Sequence, residues 1–220
     1  VFAPAASGIA VIGEFNEWNG DPMHKIYDGN FWECVIPTAK VGQMYKYRIY
    51  DQSGGCLDRC DPYGRRMELR PHSASIICGG GKQKFTDEKW LKTRDGGLDK
   101  PLNIYEIHAG SWRCKPDEED QKDVAEHWYN YRELADLLVP YLKENHYHYV
   151  EMMPLAEHPS DESWGYQISG FFSPTSRYGT PDDLKYLVNK CHNAGIGVIM
   201  DFVPVHFAVD DYALWNFDGT

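Results

Sequence analysis

Hydrophobic and polar positions alternate in the first part of the chain and recur at helical spacing in the second. Short alternating segments, separated by Gly, Pro, Asn and Asp, lie at residues 9–13, 31–36, 44–51 and 74–78. In the third of these, Tyr45, Tyr47 and Ile49 alternate with charged side chains, which is the period of a half-buried strand. The pattern predicts an all-β region, and the spacing of its strands favours an immunoglobulin-like β-sandwich.

From residue 103 onward, apolar strands alternate with amphipathic helices. Strands are predicted at residues 103–108, 149–154 and 197–202. The first helix has apolar positions from 131 to 142, and Pro140 is expected to kink or restart it. For the second, Thr180 is a predicted N-cap, Asp183 is the third helical residue and Gly195 ends the helix. This order of elements is typical of a parallel sheet built from βα units.

Residues 79–100 lack periodicity and are interpreted as a linker. We therefore predict two domains, a β-sandwich module at residues 1–95 and the start of an α/β (TIM) barrel at residues 96–220. The second contains only the first three βα units, because a complete barrel takes about 250 residues.

Charge and composition narrow the possible partners. The 22 basic and 33 acidic residues give a net charge of −11, which argues against nucleic acid or an anionic membrane as partner. No apolar run is long enough for a membrane span, and residues 1–7 carry no visible secretory signal. Six scattered cysteines without a C-x-x-C pair are interpreted as reduced thiols of a soluble, cytoplasmic protein.

Metal and cofactor signals are weak. Cys56 and Cys60 lack a second ligand pair of suitable spacing, and His146 and His148 lie at the amino end of a predicted strand, away from the functional face. The acidic run at residues 117–120 is interpreted as a solvated loop. We predict no metal site and no cofactor.

Candidate chemistry lies where parallel strands end. Residues 154–180 form a long predicted loop rich in aromatic side chains, which suits either a sugar site or a packed lid. After the third strand, Asp201 is expected to face the barrel interior and His206 to lie just past the strand end, where a ligand binds. A structural role for His206 stays open at this point.

Several motifs resemble those of the bacterial glycogen (1,4-α-glucan) branching enzymes, members of the α-amylase-type glycoside hydrolase superfamily. They are NIYEIHAGSW at residues 103–112, MPLAEHP at 153–159, WGYQ at 164–167, SPTSRYG at 173–179 and DFVPVHF at 201–207. Residues 1–4 and 13–19 resemble the carbohydrate-binding module that precedes the barrel in branching and debranching enzymes. One departure is His146, where the family usually has a glycine, and a strained backbone is expected there.

The resemblance implies a retaining transfer of an α-1,4-glucan chain to a 6-hydroxyl through an Asp nucleophile and a Glu acid. Tyr166 would stack on the sugar, His206 would bind its 6-hydroxyl and Asp201 would organise the site from beneath. Trp164 and Gln167 are assigned to the same substrate site. The nucleophile and the acid are expected beyond residue 220, so no catalytic residue is assigned to this chain.

The sequence is therefore interpreted as an inactive fragment of a branching enzyme. Two alternatives remain: another α-glucan enzyme of the superfamily, debranching or trehalose-releasing, and a stand-alone glucan-binding protein without catalysis. Trp18 and Trp32 could stack on glucan, but core packing is at least as good an interpretation of both.

Overall fold

The computed structural model describes residues 1–95, 99–116 and 127–220. In chain order its strands are β1 (Gly8–Gly13), β2 (Asp21–Pro22), β3 (His24–Ile26), β4 (Phe31–Glu33), β5 (Met44–Tyr50), β6 (Cys56–Arg59), β7 (Ser75–Ile76), β8 (Ile104–Ile107), β9 (Tyr149–Met152), β10 (Ala156–Glu157), β11 (Gly170–Pro174) and β12 (Gly197–Met200). The helices are α1 (Glu88–Thr93), α2 (Tyr131–Glu144) and α3 (Pro181–Asn193). The expected acidic loop at residues 117–120 lies outside the described residues.

The described chain forms two compact units, and each unit combines segments that are separated in the sequence. The first combines residues 1–80, 156–174 and 204–220, and the second combines residues 81–155 and 175–203. The predicted boundary between residues 95 and 96 stays a prediction.

The first unit is built on antiparallel strands. One sheet has the order β2-β1-β5-β6, with β7 also paired to β5, and β3 pairs with β4 in a hairpin. Ile9 and Ile49 face each other in the β1–β5 register and are buried together with Trp32. The Trp32 indole Nε1 donates a hydrogen bond to the carbonyl of Ala3 at 3.0 Å, so this ring belongs to the core.

The second unit contains a parallel sheet of order β12-β9-β8. The three strands start in register, since Ile104 and Gly197 both pair with Tyr149. Helices α2 and α3 bury apolar side chains in one core with the sheet, including Leu138, Leu187 and Val150. The predicted parallel strands are confirmed, although the second and third end two residues earlier than expected.

Local capping signals explain the ends of α3. The side chain of Thr180 accepts a hydrogen bond from the Asp183 amide, and the Asp183 carboxylate accepts one from the Thr180 amide. Gly195, with φ +82°, follows the last turn. The predicted start and end of this helix are confirmed. Pro140 does not restart α2, which continues through it.

Two sequence interpretations are wrong. The supposed linker at residues 79–100 contains α1, and Asp87 at its start is buried and bonded to His192 Nδ1 at 2.6 Å. The predicted structureless loop at residues 154–180 contains β10 and β11, which pair antiparallel. Strands of two and five residues are too short to produce a readable period.

Candidate functional site

A tight turn presents the WGYQ motif. Residues Asp161–Ser163 form one turn of 3-10 helix, and the carbonyl of Asp161 accepts a hydrogen bond from the Trp164 amide at 3.1 Å. The carbonyl of Ser163 accepts one from the Tyr166 amide at 3.0 Å. Trp164 has φ +55°, a left-handed conformation that reverses the chain. The result is a compact turn in which Trp164 is 59% exposed and Tyr166 is half-buried.

A parallel bridge joins this turn to the segment that carries His206. Ile168 pairs with Phe207, and the Ala208 amide donates to the carbonyl of Ile168 at 3.0 Å. Ile168 is buried, so the bridge is anchored in the first unit. Gln167 and His206 each precede a bridge residue, and both are exposed. The chain thus brings Tyr166, Gln167 and His206 to one edge of this unit.

Asp201 lies in the second unit. It follows β12 directly, and its amide continues the parallel ladder by donating to the carbonyl of Met152 at 3.0 Å. Its side chain is half-buried. Four of the five predicted substrate residues therefore lie in the first unit, whereas Asp201 lies at the end of a parallel strand in the second.

The aromatic residues of the predicted loop divide between packing and exposure. Tyr178 is buried and contacts the ring of Tyr131 edge-on at 5.6 Å, which is a core role. Phe172 is more than half exposed and stacks on the exposed ring of Tyr63 at 5.4 Å. His158 is buried, with Nδ1 2.8 Å from the carbonyl of Ala156. The aromatic side chains of this segment are therefore in part buried and in part exposed, and the choice between a sugar site and a packed lid stays open.

Two titratable groups of the first unit are held neutral by their surroundings. Burial and, next, the charge of Asp210 raise the pKa of the Tyr212 hydroxyl to about 12. The carbonyl of Tyr212 accepts a hydrogen bond from the Cys60 amide at 2.8 Å, and burial raises the pKa of the Cys60 thiol to about 12. Neither group is ionised near pH 7, and both act as packing residues of the first unit.

The histidines and cysteines considered as possible metal ligands do not form a cluster in the described residues. His148 Nδ1 accepts a hydrogen bond from the Asn103 amide at 3.0 Å. Among residues 1–95, 99–116 and 127–220, no three His, Cys, Asp or Glu side chains form a metal-binding group. All six cysteines are free thiols. In the same described residues, no helix combines the length and the apolar character needed to cross a bilayer.

Sequence reasoning missed an ion pair at the base of the WGYQ turn. The guanidinium of Arg70 binds both carboxylate oxygens of Asp161, and the two residues are 91 positions apart. No pattern within either segment signals such a contact. Trp18 is exposed at the surface, in contrast to the buried Trp32.

Two family profiles match the chain. Carbohydrate-binding module 48 (isoamylase N-terminal domain) matches residues 1–64, and the alpha amylase catalytic domain matches residues 135–215. Among curated proteins, the chain is 45% identical over 223 residues to the 1,4-alpha-glucan branching enzyme of Fusobacterium nucleatum, covering all of this chain and 35% of that protein. It is 46% identical to the branching enzyme of Nitrosomonas eutropha and 45% identical to that of Bacillus caldolyticus, again over all of this chain and 30% and 32% of theirs.

The resemblance to branching enzymes is confirmed. It extends over the whole chain, which spans about a third of the length of the curated relatives it matches. The crystal structure of a putative alpha amylase from Salmonella typhimurium superimposes on this chain with a TM-score of 0.73 at 23% identity, covering 96% of this chain and 32% of that one. This likeness establishes the fold alone. The coarse fold class, a carbohydrate-binding module 48 domain with part of an alpha-amylase domain, is confirmed.

Proposed function

We propose that the chain is the substrate-binding first part of a 1,4-alpha-glucan branching enzyme. The observation that carries the proposal is the backbone bridge between Ile168 and Phe207, because Gln167 and His206 directly precede the two bridged residues. An aromatic face next to hydrogen-bonding side chains suits a sugar, because a pyranose has apolar faces and a belt of hydroxyls. The branching-enzyme relatives supply the class of sugar, an α-1,4-glucan.

Each residue has a proposed role in binding glucan. The ring of Tyr166 stacks on the sugar at the point of cleavage, with Trp164 beside it on the exposed turn. The imidazole of His206 and the amide of Gln167 hydrogen-bond the sugar hydroxyls. Asp201, which follows β12 in the second unit, is assigned to glucan binding by the resemblance alone, and this role stays a prediction. The finer architecture belongs to the same proposal: a β-sandwich module, followed by the first three βα units of a TIM barrel.

The proposed chemistry is a retaining double displacement. A nucleophilic carboxylate forms a glycosyl-enzyme ester, a second carboxyl group acts as acid and then as base, and a glucan 6-hydroxyl replaces water as acceptor. In retaining enzymes the two carboxyl groups lie about 5–5.5 Å apart. We propose that both lie outside these 220 residues, and that this chain contributes binding and orientation of the donor glucan.

The test uses the full-length protein and amylose as substrate. Proton NMR counts α-1,6 linkages, and we expect their number to rise with time. Tyr166→Ala and His206→Ala should each lower kcat/KM at least about tenfold, a loss of about 1.4 kcal/mol of transition-state binding. Tyr27→Ala and His72→Ala are matched controls on exposed residues of the same unit, and both should keep wild-type rates.

Other products would overturn the assignment. A fall in α-1,6 linkages in branched glucan indicates a debranching enzyme, and release of trehalose indicates a trehalose-releasing hydrolase. Glucan binding without turnover by the full-length protein indicates a stand-alone binding protein. Wild-type activity in both Tyr166→Ala and His206→Ala would refute the proposed site.

A further inference from the structure

The first unit contains a bidentate ion pair between Arg70 and Asp161, which joins residues 1–80 to the segment that carries the WGYQ motif. The Arg70 Nε donates a hydrogen bond to Asp161 Oδ1 at 2.9 Å, and a terminal nitrogen of the same guanidinium binds Asp161 Oδ2. Paired hydrogen bonds of this kind fix direction as well as distance, because the guanidinium and the carboxylate are both planar. The contact therefore sets the orientation of Asp161 and not merely its proximity.

Asp161 is the first residue of the turn that presents the proposed sugar-binding side chains. Its carbonyl accepts the hydrogen bond from the Trp164 amide, and the carbonyl of Ser163, in the same turn, accepts the one from Tyr166. Trp164 then adopts a left-handed conformation with φ +55°, which side-chain-bearing residues keep only when their surroundings hold them. Arg70 is therefore connected to Tyr166 in two steps: the ion pair with Asp161, and the backbone hydrogen bonds of the turn that Asp161 begins.

We propose that Arg70 is a positioning residue for the glucan site. Through Asp161 it fixes the turn that presents Trp164 and Tyr166. The inference rests on the proposed function for its substrate, although the effect on the turn itself does not. No sugar contact is assigned to Arg70, which binds the carboxylate of Asp161.

A second ion pair in the same unit provides a matched control. Arg48 binds Asp58 through Nε at 2.7 Å and through a terminal nitrogen at 2.9 Å. Its side chains are 33% and 37% exposed, against 29% and 38% for Arg70 and Asp161. Arg48 and Asp58 face each other across β5 and β6, within the sheet. Loss of this pair therefore measures the effect of removing a half-exposed Arg–Asp contact that holds no part of the WGYQ turn.

The experiment uses the full-length protein and two measurements on each variant. Hydrogen exchange followed by mass spectrometry reports opening of residues 161–167, because the Trp164 and Tyr166 amides are hydrogen-bonded within that turn. Branching kinetics on amylose report kcat and KM. Arg70→Ala should accelerate exchange in this peptide about tenfold and lower kcat/KM about tenfold, whereas Arg48→Ala should change neither.

A double-mutant cycle separates the pair from other contacts of its members. Arg70→Ala and Asp161→Asn remove the same interaction, so the double variant should lose no more kcat/KM than either single variant. Fully additive losses would overturn the proposal, because each residue would then act independently. Unchanged exchange at residues 161–167 in Arg70→Ala, or equal acceleration in Arg48→Ala, would also overturn it.

The two measurements distinguish this inference from the proposed function. Accelerated exchange with no branching activity in the wild-type protein would refute the proposed function and support the structural part of the inference. Accelerated exchange with unchanged kcat/KM in an active enzyme would refute the positioning role and leave the proposed function intact.

Discussion

His146 occupies a backbone conformation that normally belongs to glycine. It follows the last turn of α2 with φ +57°, in the left-handed region. The amide of Tyr147 donates to the carbonyl of Leu142 at 2.9 Å, and the amide of His146 donates to the carbonyl of Lys143 at 3.2 Å. These two hydrogen bonds define the Schellman end of a helix, which requires a left-handed residue at this position. The strained backbone expected from the sequence is confirmed.

Helix α3 ends in the same motif with a glycine in place. Gly195 has φ +82°, its amide donates to the carbonyl of His192 at 2.9 Å, and the amide of Ile196 donates to the carbonyl of Cys191 at 2.9 Å. A Cβ added at Gly195 would meet no atom within 4 Å. The two helix ends therefore differ in the residue that takes the left-handed conformation, His146 in one and Gly195 in the other. A substitution at Gly195 tests the backbone conformation alone, because the added Cβ clashes with no other atom.

The net effect of exchanging these residues follows from two opposing terms. A left-handed conformation costs an L-residue about 1–2 kcal/mol, and glycine escapes this cost. Glycine also gives the unfolded chain more freedom, which lowers stability by about 0.4–1 kcal/mol. The difference predicts that His146→Gly raises the free energy of unfolding by about 0.5–1 kcal/mol. Since the His146 side chain is exposed, little burial is lost.

Urea denaturation of the purified protein measures this change. Gly195→Ala should lower the free energy of unfolding by about the same amount, and the double variant should return close to wild type, because the two positions lie at different helix ends. His146→Ala is the critical control, since it removes the imidazole but keeps the strain, and it should change stability little. A stabilisation by His146→Ala as large as that by His146→Gly would refute the backbone argument, as would no gain from His146→Gly.

Two further predictions concern the titration of Asp183 and of the cysteine thiols. Burial opposes ionisation of Asp183, but hydrogen bonds from Thr180 outweigh it and hold the pKa of this carboxyl below its usual value. The contribution of Asp183 to the free energy of unfolding is therefore present above about pH 4 and is lost as the pH falls through the lowered pKa. Asp183→Asn should cost about 1 kcal/mol of unfolding free energy at pH 7 and progressively less in acid, and a constant cost from pH 7 to 3 would contradict this. Burial raises the pKa of the Cys60 and Cys191 thiols to about 12, so a thiol reagent at pH 8 should label the exposed Cys56 far faster, as peptide mass spectrometry would measure. Similar rates at all three would refute it.

The sequence predicts those features whose signals lie within one short segment. The N-cap of α3 is readable because Thr180 and Asp183 are three positions apart and bond to each other's amides. The strand β5 is readable because its alternating residues share one segment. The parallel strands are readable because apolar runs and helical periods alternate along the chain.

Features that depend on residues far apart in the sequence could not be predicted from it. β10 and β11 form only as a pair, and neither is long enough to show a period. The burial of Asp87 depends on His192, on another helix. At the candidate site the sequence names Tyr166 and His206, but their proximity depends on the bridge between Ile168 and Phe207, which no local pattern encodes.

The first unit combines residues 1–80, which include the carbohydrate-binding module, with two later segments of the chain. This affects how a deletion of residues 1–80 must be interpreted. The buried guanidinium of Arg59 donates to the carbonyls of Asp211 at 2.7 Å and Asn216 at 2.8 Å, in the segment that follows His206. Arg70 likewise binds Asp161, in the segment that carries Tyr166. Removing residues 1–80 therefore removes the groups that hold both site segments, because a buried polar contact left without its partner destabilises its surroundings. If the proposed function holds, loss of activity on such a deletion is expected from disorder of the proposed site alone, so it would not be evidence that the module itself binds glucan. Point substitutions at Arg59 and Arg70, with the module intact, separate these two causes.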